Sequence, residues 1–288
     1  MCTLQNMTLA VQVIILNWNG WRDTLECVRS LRRHTGSDLD ILVVDNGSSD
    51  DSVAKLRQED PALSILETGK NLGFAAGNNA GIRFVLQHRR PDAFWLLNND
   101  TVVEAATLPG LMAALTANAR VGAVGTVICD ARPPHPLQAW GGGWVSPWVG
   151  IPWACRGPRN RLNYLCGASL LLRTKALQQV GWLDEGFFFY FEDADLSFRL
   201  RQAGWLLTVA PEARVFHHGG GSIGSQSEQA ARLYRISLIR FLKKHSRIPI
   251  LPISFTTALR LTIAGAKGQT QVVRGTLAGW QEGRRTAL

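Results

Sequence analysis

Short apolar runs alternate with helix-patterned segments through the first hundred residues, and each main run stops at a cluster of polar side chains. Residues 11–16 end at Asn17-Trp18-Asn19-Gly20, residues 41–44 at Asp45-Asn46-Gly47-Ser48, and residues 93–97 at Asn98-Asn99-Asp100. Runs of four to six apolar residues suit strands buried on both faces. Residues 64–66 predict a further short strand, and residues 21–34, 51–59 and 73–88 predict the intervening helices. Asp50 or a neighbouring serine is placed to cap the second helix, and Pro61 to stop it. Alternation of this kind implies an α/β, Rossmann-like, mainly parallel sheet with flanking helices. Ligands of such sheets bind beyond the carboxyl ends of the strands. Residues 1–103 therefore read as a nucleotide-binding half.

The second half is less regular. Residues 104–118 suit a helix and 121–128 a strand; 130–163, rich in Pro, Gly and Trp, read as a long loop or loose hairpin. Residues 170–172 predict a strand, 192–203 a helix, and 205–209 and 214–216 two more strands. Residues 228–245 form an amphipathic helix with Ala230, Ala231, Tyr234, Leu238, Phe241 and Leu242 on one face. Arg232, Arg235, Arg240, Lys243 and Lys244 lie around the rest, and a last helical segment runs from about 255 to 281. The chain divides into residues 1–222 and a basic helical segment, 223–288.

That division follows the charge. The 288 residues carry a net +9, but residues 1–195 hold 17 basic and 19 acidic side chains (−2), against 14 and 3 (+11) in residues 196–288. A basic tail on a near-neutral body points to an anionic surface, read here as a membrane and not nucleic acid, or else to a solvated basic face. The five cysteines form no CxxC pair, so neither a disulfide framework nor a zinc site is expected. With no secretory signal or membrane span in view, the expectation is a cytoplasmic protein, peripheral on the membrane's inner face.

Several residue types invite chemistry. Asp100 follows a buried strand, where a carboxylate can reach a metal and a diphosphate or simply cap the next helix. Glu192, Asp193 and Asp195 open a helix after five aromatic residues. The helix dipole favours their ionised forms and the apolar setting opposes it, as a general base requires. Asp195 reads better as an ion pair with Arg199, one helical turn on. His217 and His218 end a strand, so only one should face a site with Asp100. Gly219, Gly221 and Gly224 spell GxGxxG, but no acid follows about 20 positions later, so no dinucleotide site is expected. Trp140, Trp144, Trp148 and Trp153 crowd one segment and read as acceptor contacts or as a satellite hydrophobic cluster.

Taken in order, ILNWNG at 15–20, VVDNGSSDDS at 43–52, NLGFAAGNNAG at 71–81 and WLLNNDTVV at 95–103 form one half of a pattern. GASLLLRTKAL at 167–177, VGWLDEGFFFYFEDADLSFRLRQAGW at 180–205 and VFHHGGGS at 215–222 complete it. The set resembles the rhamnosyltransferase-like branch of glycosyltransferase family 2. The resemblance implies a GT-A fold and an inverting transfer from a nucleotide sugar, with dTDP-L-rhamnose the leading donor. Asp45 matches the residue that contacts the base, and Asn17, Asn71 and Gly73 match positions lining the nucleotide pocket. Asn98, Asn99 and Asp100 stand at the DxD motif, with one carboxylate in place of two. Asp100 and His217 then match the ligands of a divalent ion, Mg2+ or Mn2+. Asp193 matches the general base, with Glu192 beside it. The acceptor expected is a glycan, plausibly linked to a polyprenyl diphosphate. Other readings are a silent sugar-nucleotide or glycan-binding module, a transferase using a UDP-sugar, and a nicotinamide-dependent oxidoreductase.

Overall fold

The structure is a computed structural model that describes residues 9–35, 39–158, 162–219 and 227–286. The first half runs β1 (Val11–Asn17), α1 (Trp21–Thr35), β2 (Asp40–Asp45), α2 (Ser52–Glu59), β3 (Ser64–Glu67), α3 (Phe74–His88) and β4 (Ala93–Asn98). Then come β5 (Thr101–Val103), α4 (Thr107–Thr116), β6 (Val121–Asp130), β7 (Leu137–Trp140), β8 (Gly142–Val145), β9 (Pro152–Ala154), β10 (Tyr164–Leu165) and β11 (Ser169–Arg173). The chain ends with α5 (Thr174–Val180), α6 (Glu192–Gln202), β12 (Leu206–His217), α7 (Glu228–His245), α8 (Ile250–Ala266) and α9 (Thr270–Arg285).

The large sheet has the order β3-β2-β1-β4-β11-β6-β12-β5, with β7 added on β6. Strands β1 to β4 are mutually parallel, and β11 runs antiparallel between β4 and β6. Side chains alternate across the sheet. Val13, Ile15, Val43 and Trp95 pack with Leu25, Val28 and Leu31 of α1 on one face. Ile14, Leu42, Val44 and Phe94 pack with Ile82 and Val85 of α3 and Leu196 of α6 on the other. Both faces are covered, which is why the strands read as unbroken apolar runs.

Three segments depart from the expectation. Residues 130–163 are not a loose loop: β8, β9 and β10 form a small antiparallel sheet, and β7 extends the main one. Strands of two to four residues carry too short an alternation to register in a sequence. The strands expected at 205–209 and 214–216 are one continuous β12, irregular in register between Ala210 and Arg214. The last helical segment is two helices that break around Gly268, whose φ is +64°. Pro252 lies in the first turn of α8, where a missing N–H costs nothing.

The C-terminal helices join the body of the protein. Leu238, Ile239, Phe241 and Leu242 of α7 form one core with Phe187, Phe191 and Phe198. Helix α9 lies close on α7 through Gly275, Gly279 and Gly283; a Cβ at Gly279 would stand 2.5 Å from the carbonyl oxygen of Arg232. Among the described residues no helix is long and apolar enough to cross a membrane.

Candidate active site

The carboxyl ends of β1, β2 and β4 lie side by side, with Asn17 in register with Asp45 and Leu16 with Asn98. Asn17 is fully buried; its Nδ2 donates to Asp45 Oδ1 at 2.8 Å, and its Oδ1 accepts from Thr24 Oγ1 at 2.7 Å. Asp45 is 3% exposed and also accepts from the Ser48 hydroxyl (2.6 Å) and amide (3.0 Å). Its carboxylate thus shapes the loop after β2. Asn99 turns back to α1, donating to Thr24 Oγ1 at 3.1 Å.

Asn46 organises the next stretch, which the sequence did not single out. Its Nδ2 donates to Asn71 Oδ1 and to the Gly73 carbonyl, each at 3.1 Å, while its Oδ1 accepts from the Leu72 amide at 3.1 Å. Asn71 Oδ1 in turn accepts from the Gly73 amide at 2.9 Å. Gly73 has φ +84°, and a Cβ there would lie 2.5 Å from the Phe188 carbonyl oxygen. Only glycine permits both that conformation and that approach. The Phe74 amide donates to the same oxygen at 2.7 Å, so the start of α3 is tied to the aromatic segment before α6.

Asp100 and His217 meet as expected. His217 Nε2 stands 3.3 Å from Asp100 Oδ1, and the Gly219 amide donates to Asp100 Oδ2 at 3.2 Å. Burial raises the Asp100 carboxyl, but the His217 contacts and the Gly219 amide outweigh it and hold the group below its ordinary range. Gln138 of β7 sets the ring: its Nε2 donates to the His217 carbonyl at 3.0 Å, which turns its Oε1 to His217 Nδ1, also at 3.0 Å. Nδ1 therefore carries the hydrogen of that bond, and Nε2 is the nitrogen that faces the Asp100 carboxylate. A carboxylate and an imidazole brought together in this way are both groups that ligate divalent cations. Asn98 Nδ2 lies 3.4 Å from the same nitrogen. No group of three or more His, Cys, Asp or Glu able to hold a metal occurs among the described residues. The donor set from the protein is thus one carboxylate and one imidazole. Near Asp23, where burial and then Asp100 raise the carboxyl, His218 acts in the lowering sense.

Asp193 sits in the first turn of α6. Its Oδ2 accepts from the Gly167 amide at 2.9 Å and its Oδ1 from the Ala194 amide at 2.7 Å. The next residue, Ala168, accepts from the Asn98 amide at 2.9 Å, which links Asp193 to the end of β4 through two adjacent residues. Burial raises the Asp193 carboxyl against the Gly167 and Ala194 amides. Glu192 is raised far more, by burial and then by the Asp193 charge, and its Oε2 has no partner among the described residues. Tyr190 and Phe191, just before α6, have φ of +72° and +67°. Left-handed conformations at aromatic residues are strained and need outside support. Helix α7 supplies it: Ser237 Oγ donates to the Phe189 carbonyl at 2.8 Å, and Tyr234 packs on the rings of Tyr190 and Phe191 at 5.5 and 5.2 Å.

A cavity of about 200 Å³ opens at Asp193, lined among others by Pro152, Tyr164, Tyr190 and Tyr234. Trp140, Trp144 and Trp148, expected as acceptor contacts, are not among the residues lining it. Trp144 pairs across strands with Trp153 and stacks on it at 5.3 Å on an exposed face, and Trp148 is 59% exposed. Adjacent strand positions point to opposite sides, so Gly143 and Val145 turn inward where Trp144 turns out. Trp140 is half-buried in β7. Gly221 and Gly224 lie outside the described residues. Asp195 forms the expected ion pair with Arg199, at 2.8 Å.

The basic side of α7 also differs from expectation, because its cations are committed internally. Arg232 pairs with Glu282 at 2.5 Å, Arg240 and Lys244 with Asp184 at 3.0 and 2.7 Å, and Lys244 with Asp195 at 2.6 Å. Lys243 donates to three carbonyls at the end of α9, and Arg235 is buried. Helix α8 is the one that turns an apolar stripe outward, with Leu251, Phe255, Leu259 and Ile263 all exposed.

A mainly parallel sheet with polar strand ends, a carboxylate–imidazole pair and a buried acid at a helix start fit a glycosyltransferase of GT-A fold. The sequence matches glycosyl transferase family group 2 over residues 94–270 and glycosyl transferase family 2 over residues 12–140, and the chain belongs to glycosyltransferase family 2. It is 29% identical over 266 residues to the N-acetylglucosaminyl-diphospho-decaprenol L-rhamnosyltransferase of Mycobacterium tuberculosis, covering 83% of this chain and 86% of that protein. Among solved structures, GalNAc-T7 with UDP, GalNAc and Mn2+ superposes with a TM-score of 0.67 at 14% identity, over 96% of this chain and 55% of that longer one. A mannosyltransferase of Pyrobaculum calidifontis in complex with GDP-Man and Mn2+ gives 0.59 at 15% identity, over 98% of this chain and 77% of that one.

Proposed function

We propose that this glycosyltransferase moves L-rhamnose from dTDP-L-rhamnose, with inversion, to a hydroxyl of a saccharide carried on a polyprenyl diphosphate. The observation that carries the reading is Asp193, a carboxylate fixed by two backbone amides in a cavity beside the strand ends. The likeness to a rhamnosyltransferase named for a decaprenol-diphosphate acceptor supports the choice of sugar and acceptor.

In this reading the nucleotide lies over Asn17, Asp45, Asn71 and Gly73. Asp45 has both oxygens engaged already, so it acts on the base through one further bond at Oδ2 and through the loop it shapes. Asp193 accepts the acceptor's hydroxyl proton as that oxygen attacks the anomeric carbon. The new C–O bond forms as the bond from that carbon to the diphosphate oxygen breaks on the opposite face, and dTDP leaves with the bonding pair. A β-linked donor then gives an α-rhamnoside. Glu192, held neutral, keeps a second negative charge away from the base.

Asp100 and His217 would hold a divalent cation together with the donor's diphosphate, and the carboxylate and imidazole nitrogen placed 3.3 Å apart are the observation that fits one. Such an ion, when bound, would neutralise charge on the leaving group. A membrane surface is met through α8, whose outward apolar stripe is flanked by the exposed cations Arg247, Arg260 and Lys267.

The test is a transfer assay with the full chain, Mn2+, dTDP-L-rhamnose and a GlcNAc-diphosphoprenol, with the product's anomeric configuration read by NMR. An α-rhamnoside is expected. Retention of configuration, or transfer from UDP-sugars alone, would overturn the reading.

A further inference from the structure

A second cavity, of about 420 Å³, lies between α7, α8 and the loop entering β9, and it shares Pro152, Tyr190 and Tyr234 with the cavity at Asp193. Two features set it apart. One wall is apolar, with Leu238, Leu259 and Ile263 among its lining residues. The other carries Arg235 and Arg260.

Arg235 is 2% exposed. Its Nη1 donates to Thr256 Oγ1 at 2.9 Å and its Nη2 to the Thr256 carbonyl at 3.0 Å, while its Nε has no partner among the described residues. No carboxylate among the described residues forms an ion pair with Arg235 or Arg260. The contrast with the rest of α7 is sharp, since Arg232, Arg240 and Lys244 all have acidic partners. Burial pushes the Arg235 guanidinium down to about 10, and the like charge of Arg260 acts in the same sense. The group is still a cation at neutral pH. A buried guanidinium with an unfilled donor, a second guanidinium beside it and no acid is costly unless an anion completes it. Guanidinium forks suit phosphate oxygens.

We propose that this cavity seats the lipid-carrier end of the acceptor, with a diphosphate on Arg235 and Arg260 and the first isoprenoid units along Leu238, Leu259 and Ile263. The proposal rests on the polyprenyl-diphosphate acceptor advanced above. The shared wall gives the connection, because a sugar on that diphosphate would pass along Pro152, Tyr190 and Tyr234, which line both cavities, towards Asp193. Beyond Leu259 and Ile263 the chain would continue along the exposed stripe of α8 at Phe255 and Leu251, towards lipid.

The experiment is calorimetric titration of the full chain with geranylgeranyl diphosphate, geranylgeraniol and inorganic pyrophosphate, repeated on Arg260→Ala. Arg260 is exposed, so its variant should keep the wild-type melting temperature, whereas Arg235→Gln alters a buried site and is the secondary variant. Geranylgeranyl diphosphate should bind wild type at least about tenfold more tightly than either fragment, and Arg260→Ala should lose at least about tenfold in affinity for it. Equal binding of the alcohol would reduce the cavity to an apolar groove, equal binding of pyrophosphate to a plain anion site, and an unchanged Arg260→Ala would remove the arginines; each overturns the proposal. Arginine-dependent binding of the prenyl diphosphate without transfer to any lipid-linked saccharide would sink the acceptor assignment and leave the seat standing. Transfer to a lipid-linked saccharide with no competition by geranylgeranyl diphosphate would sink the seat and leave the acceptor assignment standing.

Discussion

Glu192 and Asp193 are adjacent acids in different surroundings. Asp193 accepts two amide hydrogens, whereas Glu192 is buried with one oxygen unpartnered. A carboxyl whose pKa is raised in the fold contributes stability below its unfolded pKa, and loses it as pH rises through the folded value. Glu192→Gln, which mimics the neutral acid, should therefore melt higher than wild type at pH 8, by about 1 kcal/mol or more, with the difference vanishing near pH 4. Thermal denaturation across that range checks it; a variant less stable than wild type at pH 8 would mean that Glu192 is ionised and paired. The three acids after an aromatic run at a helix start were legible as a place where dipole and burial oppose, while the choice of Asp193 among them came from the family resemblance. Asn46 and Gln138 were not legible. Each is a neutral amide whose work, bridging Asn71 to Gly73 or orienting His217, exists only through partners that folding brings near.

Among the elements, α7 shows how a charge pattern misleads. Its cations read as a membrane-facing surface, yet they hold α6 and α9 in place. Asp195 is the centre of this arrangement, fully buried and meeting Arg199, Lys244 and His245. Burial raises its carboxyl, but the His245 hydrogen bond and the Arg199 and Lys244 cations pull it well below the ordinary range. Its contribution to stability is thus present above the unfolded aspartate pKa and lost as pH falls through the folded one. Asp195→Ala should cost about 3 kcal/mol or more in chemical denaturation, because three donors lose their acceptor; a loss under 1 kcal/mol would contradict the role. The proposed membrane contact falls instead to α8. Leu251→Glu with Phe255→Glu should abolish flotation of the full chain with phosphatidylglycerol vesicles, since both side chains are more than half exposed and the fold does not depend on them. Unchanged flotation would remove α8 from the membrane. Helix α8 was hard to read because its two nearby prolines look like breakers until the first turn is located.

For the whole molecule, the α/β architecture followed from alternation alone, because a parallel sheet leaves long apolar signatures on both faces of every strand. The small sheet of β8 to β10 left none. It closes over the cavity at Asp193 through Pro152 and Tyr164, so the part of the fold least visible in sequence helps shape that cavity. The polar strand ends of the first half were visible from the start. Cavity and strand ends meet where Gly167 holds Asp193 and Ala168 holds Asn98. The most direct measurement is single-turnover transfer by Asp193→Asn, with dTDP-L-rhamnose affinity measured in parallel. Loss of a positioned base predicts a rate lower by about 10²–10⁴-fold with donor affinity within about threefold of wild type. A variant that turns over at near wild-type rate would contradict the assignment of Asp193 as the base.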